Sequence, residues 1–390
     1  MYACVCMLVC GVVFVIFTFD FPTCAALCLN AIKKEFEKKF NSGSLNYIRK
    51  LGVIQNSIFG IDIQPIAVEI SRLRCFLSLI IEERVNDDEE NRGINPLPSL
   101  EFKFIIANSL KSLPNETEYQ KNADDGQMMI SENIDYIKQL KNVREEYFNA
   151  EYSRRKELKS KFQAIQLDMA TFANERQDTS ARNKELFSWR PFQNKSTNWF
   201  DPEWMFGIKD GFDIIIGNPP YGLINKKQNQ KTGIKVSEAD LEYYKSNPLY
   251  KPAKGGMLNI YRLFICKSHY LLKENGYMSL IFPMAFLCDL SAAELRKFVL
   301  NQESIVCIEA FPERDDEKKR VFQSAKMSVC ILGSQKNTGS LDRKFKLRIN
   351  DDRFVFSLIA LGYPYNENSF YDAKKVAAAF DEIFADEDEE

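Results

Sequence analysis

The chain has 390 residues, of which 45% are hydrophobic and 27% charged, and its formal net charge is −2. These values are ordinary for a globular protein and exclude a collagen-like or low-complexity chain. Because the net charge is close to zero, a surface that binds nucleic acid would have to be a local basic patch.

The first element is an uncharged run over residues 3–19. It is slightly short for a membrane span of ~20 residues. No Lys or Arg precedes it, so it lacks the basic start of a secretory signal. Its β-branched residues also fit a buried strand. We expect a cytoplasmic protein, with a membrane-anchored form as the alternative, and we treat residues 1–30 as an atypical apolar start.

The cysteines and the histidine restrict the chemistry. Five of the ten cysteines crowd into the start, and no Cys-x-x-Cys pair occurs, so we expect buried free thiols and no metal site. The only histidine is His269, which excludes mechanisms built on histidine pairs or triads. We expect it to be a surface or half-buried residue.

The next elements alternate between helix and strand. A polar helix is predicted over residues 31–40 and a buried strand over residues 57–63, followed by a helix that begins at Pro65. A further strand is predicted over residues 102–107. The apolar residues of the helix after Pro65 recur at helical spacing and are expected to pack on a core; they are Ile66, Ile70, Leu73, Leu77 and Ile80.

A long charged stretch, about residues 133–190, indicates a helical insertion. Within it, apolar residues recur every three or four positions and mark an amphipathic helix: Leu158, Phe162, Ile165, Met169 and Phe172. We interpret it as an insertion that packs on its own protein. The alternative is an arm that binds DNA or a partner.

The second half continues the alternation. Strands are predicted over residues 212–217, 276–287, 305–308 and 327–332, a mobile Lys-rich loop over 222–256, and a helix over 261–272. Strands alternating with helices predict an α/β fold with a doubly wound, mostly parallel sheet. The last ten residues form an acidic, solvated tail.

The segment that carries chemistry is Asn218-Pro219-Pro220-Tyr221, directly after the strand FDIIIG. A turn at this place presents side chains at the carboxyl edge of the sheet, where α/β folds bind ligands. Two prolines hold the backbone rigid. The oxygen of Asn218 and the carbonyl of Pro219 can accept the two hydrogens of a ring-conjugated amine and so localise its lone pair. Tyr221 offers a flat face for stacking. The alternative is a simple Pro-Pro turn.

Here the sequence resembles a family. FDIIIGNPPYG is similar to the catalytic motif of class I S-adenosylmethionine-dependent methyltransferases that modify adenine N6 in DNA. Residues 56–80 resemble the acidic-loop region of the type IIG and related restriction-modification enzymes. The resemblance runs from about residue 50 to 335, outside the helical insertion.

The resemblance implies roles for particular residues. It makes Asp62 the acceptor for the ribose hydroxyls of S-adenosylmethionine, although an acid at a helix start is the plainer alternative. It places Asn108 near the cofactor adenine and Phe322 across the target base from Tyr221. A turn residue and a core phenylalanine, respectively, are the alternatives. The implied cofactor-binding set is Asp62, Ile63, Asn108 and Asn218, and the catalytic set is Asn218, Pro219, Pro220 and Tyr221.

The resemblance further implies a Rossmann-like core over residues 31–335 with an antiparallel strand near one edge, and a remainder over residues 336–390. The partner would be double-stranded DNA with a flipped adenine, and sequence recognition would need a separate or missing specificity domain. Lysines within residues 226–254 would contact phosphates, or belong to a solvated loop.

The chain departs from the family pattern where a Gly-rich cofactor loop is expected. Residues 19–36 keep Asp20, Pro22 and Thr23 but no glycine. We interpret residues 1–30 as rewritten by a frameshift or false start, and the chain as a fragment. Two rival functions follow: a catalytically impaired remnant that binds DNA or a partner, and a protein-glutamine amide methyltransferase.

Overall fold

The computed structural model places two compact units along the chain. One, the amino-terminal unit, is Val12–Gly211; the other, the carboxyl-terminal unit, is Phe212–Glu390 with Met1–Gly11. The described residues are 13–16, 46–83, 87–88, 90–94, 97–114, 125–175, 181–225, 233–316, 320–322, 326–337, 344–349 and 370–372. The predicted helix over residues 31–40, the altered loop over 19–36 and the acidic tail lie outside them.

A parallel sheet forms the base of the amino-terminal unit. Its strands are β1 (Val13–Ile16), β2 (Ile58–Asp62) and β3 (Phe104–Ile106), with β2 between the other two. Every residue of β2 is buried, as predicted for a central strand. Helix α1 (Asn46–Asn56) precedes β2 and helix α2 (Pro65–Ile80) follows it. Strand β1 lies within the uncharged start, where a strand was the alternative to a membrane span.

Helix α2 begins at Pro65 as predicted, but it buries a different face. Its buried residues are Ala67, Val68, Ser71, Cys75 and Leu79. The side chains expected to enter the core point outward instead: Ile66 is 64% and Leu73 54% exposed. Leu77 and Ile80 are also exposed, and Ile70 is half-buried. That prediction was wrong, because a helical spacing of apolar residues does not by itself decide which face of a helix is buried.

The helical insertion consists of two long helices, α3 (Asp125–Asn149) and α4 (Tyr152–Glu175), which pack on each other. Two shorter helices follow, α5 (Ala181–Ser188) and α6 (Pro202–Phe206). Four of the five predicted core positions of α4 are buried, namely Leu158, Phe162, Ile165 and Met169, and the side chain of the fifth, Phe172, lies outside the described residues. The aromatic ring of Phe102, beside the sheet, contacts an aromatic cluster made of Tyr147, Phe162, Trp189 and Phe192. The insertion therefore packs on its own unit, as interpreted.

A set of six hydrogen-bonded strands lies in the carboxyl-terminal unit. Its strands are β4 (Phe212–Gly217), β7 (Leu272–Pro283), β8 (Glu303–Phe311), β9 (Val329–Lys336), β10 (Lys344–Ile349) and β11 (Phe370–Asp372), in the order β11-β10-β8-β9-β7-β4. β4 is parallel to β7, and β8 is parallel to β10. β9 runs antiparallel between β7 and β8, and β11 runs antiparallel to β10 at the end of the strand order, so the expected antiparallel strand near one edge is present. The fold is α/β.

The stretch expected to be a mobile loop over residues 222–256 is largely structured. It forms the paired strands β5 (Leu223–Asn225) and β6 (Gly233–Lys235), helix α7 (Glu238–Ser246) and a 3-10 helix (Pro248–Ala253). Helix α7 starts at Ser237, whose hydroxyl caps the Asp240 N–H. The prediction was wrong because Leu241, Tyr244 and Tyr250 are buried and anchor the segment.

Two helices complete this unit, α8 (Ile260–Leu271) and α9 (Ala293–Gln302). His269 of α8 is half-buried, as expected, and its Nδ1 lies 2.9 Å from Oε1 of the buried Glu303. The described cysteines form no disulfide. Burial raises the pKa of the Cys75 and Cys266 thiols to about 12, so both are unreactive.

No helix in the described part of the chain is long and apolar enough to cross a membrane. Within the same residues, no three His, Cys, Asp or Glu side chains are grouped as metal ligands.

Candidate active site

Asp62 lies at the carboxyl end of β2 and is only 2% exposed. Its Oδ1 accepts a hydrogen bond from the backbone N–H of Gln64 at 2.6 Å. Its Oδ2 is buried and meets no hydrogen-bond donor among the described residues. Burial raises the pKa of this carboxyl to about 7, and the backbone N–H groups of Gln64 and Ile63 oppose the shift. A buried carboxylate oxygen without a donor is a place for a hydroxyl-bearing ligand.

Ile63 is the next residue, and 51% of its side-chain surface is exposed. An exposed aliphatic side chain beside the Asp62 carboxylate offers an apolar contact at the same edge of the sheet. The pair therefore combines a hydrogen-bond acceptor with an apolar surface, which suits a nucleoside: a sugar with hydroxyls and a flat base.

Asn108 follows β3, at the same edge of the parallel sheet as Asp62. The Ala107 N–H donates to the Asp62 carbonyl at 2.9 Å, which ties the two strand ends together. The Asn108 side chain accepts from the Leu110 N–H at 3.1 Å, so it closes a local turn. Its Nδ2 reaches Oδ1 of Asn198 at 3.4 Å. Asn108 therefore lies near Asp62, with its side chain engaged in the turn that was the plainer alternative.

The Asn218–Tyr221 turn leaves the end of β4, as predicted. Pro219 is buried, and Asn218, Pro220 and Tyr221 are half-buried. The Tyr221 hydroxyl lies 2.5 Å from Oδ1 of Asn218 and 3.1 Å from the carbonyl oxygen of Ile281 on β7. The hydroxyl carries a single hydrogen, so it serves one of these acceptors at a time. Tyr221 thus holds the orientation of the Asn218 amide.

Phe322 lies beside Tyr221, although a hundred residues separate them in sequence. Their ring centroids are 6.4 Å apart and their planes are tilted by 58°. Both side chains are half-buried. The structure therefore brings together Asn218, Tyr221 and Phe322 within the carboxyl-terminal unit, and Asp62, Ile63 and Asn108 within the amino-terminal unit.

The residues that support the turn were not predicted from the sequence. The Gly222 N–H, next to Tyr221, donates to Oδ1 of Asn259 at 3.3 Å. Arg262, one turn into α8, is buried. The available signal was an Asn two residues before the predicted helix over 261–272, a pattern that ordinarily indicates a helix cap rather than a contact 37 residues away.

The chain is similar to known restriction-modification proteins. The model of the family described as "Eco57I restriction-modification methylase" matches residues 56–316, more than half of the chain. A curated relative, the putative type II restriction enzyme and methyltransferase RM.MjaORFECS2P of Methanocaldococcus jannaschii, is 26% identical over 339 residues. That alignment covers 73% of this chain and 26% of the relative.

A second relative, the type II restriction enzyme and methyltransferase RM.Eco57I of Escherichia coli, is 29% identical over 151 residues. The match covers 39% of this chain and 12% of that protein. The chain thus spans about a quarter or less of the length of these relatives. A third, the type II methyltransferase M.HincII of Haemophilus influenzae, is 32% identical over 124 residues, which are 32% of this chain and 22% of the relative. On the extent of the family match, the chain belongs to the Eco57I restriction-modification methylase family.

Proposed function

We propose that this chain transfers a methyl group from S-adenosylmethionine to the N6 amine of an adenine in DNA, as the modifying part of a restriction-modification system. The observation that carries the proposal is the turn after β4, where the Asn218 amide, the Tyr221 ring and the Phe322 ring meet. The family match over residues 56–316 supports methyl transfer. The choice of adenine N6 rests on the chemistry of the turn.

The amine of adenine is a weak nucleophile because its lone pair is delocalised into the ring. Asn218 Oδ1 and the Pro219 carbonyl would each accept one amine hydrogen, which localises the lone pair on nitrogen. Tyr221 prepares the first acceptor by holding the amide through its hydroxyl at 2.5 Å. When the amine arrives, that hydroxyl can turn to the Ile281 carbonyl at 3.1 Å and release Asn218 Oδ1.

The base must leave the helix stack before its amine can reach Asn218. Tyr221 and Phe322 would hold the flipped adenine through their ring faces, since base–aromatic stacking contributes ~1–3 kcal/mol per base. The two rings are tilted towards one another at 6.4 Å between centroids. Admission of a base therefore requires one of them to rotate. Exposed Lys245, Lys251 and Lys254 follow the turn in sequence and would contact phosphates.

The residues at the end of β2 fit S-adenosylmethionine. The unpartnered Oδ2 of Asp62 would accept hydrogen bonds from ribose hydroxyls, and Ile63 would contact the adenine ring. Asn108, at the end of the neighbouring strand, would complete the set in this unit. The bound cofactor supplies the electrophilic methyl group. The altered loop over residues 19–36 lies outside the described residues, so its contribution is a matter for binding measurements. We place the protein in the cytoplasm and sequence recognition in a separate specificity domain.

The function can be tested with the purified full chain, labelled S-adenosylmethionine and genomic DNA from a strain that lacks adenine methylation. We expect N6-methyladenine in the digested DNA and no label in glutamine-containing peptides. Asn218→Ala should lower the yield on the order of 100-fold, the usual cost of removing a group that stabilises a transition state.

Asn247→Ala is the matched control, because the Asn247 side chain accepts from the Leu249 N–H and caps a 3-10 helix. Methylated peptide with unmodified DNA would overturn the choice of substrate. Calorimetric titration that detects no cofactor binding would instead identify a remnant.

A further inference from the structure

The backbone just after the catalytic turn is held by the residues that lead into helix α8. The Ile224 N–H donates to the Leu258 carbonyl at 2.8 Å, and the Ile260 N–H donates to the Gly222 carbonyl at 3.1 Å. The Gly222 N–H donates to Oδ1 of Asn259 at 3.3 Å. Both backbone polar groups of Gly222, the neighbour of Tyr221, are therefore bonded to residues 259–260.

Asn259 occupies the N-cap position of α8, but its side chain makes no capping hydrogen bond. An N-cap Asn ordinarily accepts from an N–H group in the first helical turn, which stabilises the helix. In this protein the side-chain oxygen accepts from Gly222 instead. The helix thus forgoes its cap, and the catalytic turn gains a hydrogen bond. The same residue type at Asn247 does cap its helix, through the Leu249 N–H at 2.9 Å.

The segment that carries Asn259 is itself anchored by Arg262, which is 3% exposed. Its Nη1 donates to the carbonyls of Gly255 at 2.8 Å and Ser291 at 2.6 Å. Its Nη2 donates to the Ser291 hydroxyl at 2.6 Å and to Asp289 Oδ2 at 3.0 Å. A buried guanidinium with four such bonds holds its partners in one geometry.

Gly255 shows how closely the two segments approach. A Cβ built at Gly255 would lie 2.0 Å from the Ser291 carbonyl oxygen, so only glycine fits. Asp289 completes the anchor, since its Oδ1 accepts from the Ser291 N–H at 3.0 Å. Burial raises the pKa of Asp289, but hydrogen bonds from Ser291 and the charges of Arg262 and Arg296 lower it below its ordinary value. The carboxylate is thereby kept ionised opposite Arg262.

From these contacts we infer that Asn259 and Arg262 are positioning residues for the catalytic turn. Arg262 holds residues 255–259 against the turn around Ser291. Asn259 then holds Gly222 through its hydrogen bond, and Gly222 positions the neighbouring Tyr221. This role rests on the proposed function, because it assigns the two residues to the methyl-transfer step. They act on the placement of the base and its amine, and cofactor affinity is set by Asp62 in the amino-terminal unit.

The test compares three variants of the full chain. Asn259→Leu removes the acceptor at nearly constant size, Asn259→Asp retains an acceptor oxygen, and Asn247→Ala removes a true helix cap elsewhere in the same unit. Hydrogen–deuterium exchange should show faster exchange of the Gly222 amide in Asn259→Leu only. Turnover at saturating DNA and cofactor should fall roughly 3- to 10-fold in that variant, the equivalent of one hydrogen bond. Its cofactor Kd should be unchanged, and Asn259→Asp should recover most of the turnover.

Exchange at Gly222 that is the same in Asn259→Leu as in wild type would overturn the inference. So would equal losses of turnover in Asn259→Leu and Asn247→Ala, since that pattern reports lost stability. If the wild-type chain methylates no DNA, the proposed function is wrong, and so is the role of Asn259 and Arg262 in methyl transfer. The exchange experiment then still decides whether Asn259 holds the turn.

Discussion

Replacement of Asp62 by Asn should change stability and cofactor affinity in opposite directions. The Asp62 carboxyl is 2% exposed, and burial raises its pKa from 3.8 to about 7. A raised carboxyl pKa means that the folded protein binds the proton more tightly than the unfolded chain. This contribution to stability is fully present below pH 3.8 and is lost as the pH rises through about 7.

The size of the effect follows from the shift. A difference of about three pKa units corresponds to ~4 kcal/mol as an upper limit, at 1.36 kcal/mol per unit. Ionised Asp62 therefore destabilises the unliganded protein above pH 7, and the neutral amide of Asn removes that cost. We expect Asp62→Asn to unfold at a higher temperature than wild type at pH 8, by a margin that is smaller at pH 5 and shrinks further as the pH falls towards 3.8.

Cofactor binding should respond the other way. Hydrogen bonds to a charged acceptor contribute ~1.5–3 kcal/mol, so Asp62→Asn should bind S-adenosylmethionine about 10- to 150-fold more weakly at pH 8. Wild-type affinity should also fall as the pH drops from 8 to 6, because the carboxylate becomes protonated near pH 7. Thermal unfolding at pH 8 and 5 measures the change in stability, and calorimetric titration at pH 8 and 6 measures the change in cofactor affinity.

Asp201→Asn is the control, because Asp201 caps α6 through the Trp204 N–H at 2.9 Å and Asn caps equally well. It should change neither quantity. An Asp62→Asn variant that binds the cofactor as tightly as wild type would refute the assignment of Asp62 to the ribose. A variant that is less stable at pH 8 would refute the argument from burial.

Three further predictions concern other parts of the molecule. Tyr221→Phe keeps the ring and loses the hydroxyl, so its turnover in a DNA methylation assay should fall at most about 10-fold. Tyr221→Ala also loses the stacking surface, so its turnover should fall a further ~10-fold or more. Gly255→Ala should lower the unfolding free energy by at least ~1–3 kcal/mol in urea titration, because its Cβ would meet the Ser291 carbonyl; unchanged stability would contradict that contact. Leu79→Ala should lower the free energy of unfolding by ~2–5 kcal/mol, whereas Leu73→Lys should change it by no more than about 0.5 kcal/mol. The reverse order would indicate that the face of α2 first expected to be buried is the buried one.

Some of the site could be predicted because its signals are local. The strand Phe212–Gly217 is a run of apolar residues, and the two prolines after it stop the strand whatever surrounds them. The same holds for β2, which ends at Asp62, and for the helix start at Pro65. In each case the position of the chemical group follows from a few consecutive residues.

Other features could not be predicted because they depend on what a segment packs against. The apolar residues of α2 recur at a helical spacing, which shows that a face is apolar but not that the sheet takes it. The sheet instead took the face with Ala67, Ser71 and Cys75, where a closer approach is possible. The polar composition of residues 222–256 likewise predicted a loop where the structure has helix α7, whose Tyr244 is buried.

The sequence by itself determined the α/β class, the ends of the central strands and the identity of the acceptor groups at Asp62 and Asn218. Only the tertiary structure decided which oxygen of Asp62 meets no donor among the described residues, that Phe322 lies beside Tyr221, and that the Asn259 side chain accepts from Gly222 instead of capping its helix. The physical reason is the separation in sequence between the residues that interact. Strand and turn formation depend on neighbours in sequence, whereas burial and side-chain pairing depend on segments tens of residues apart, whose meeting is set by the packing of the whole unit.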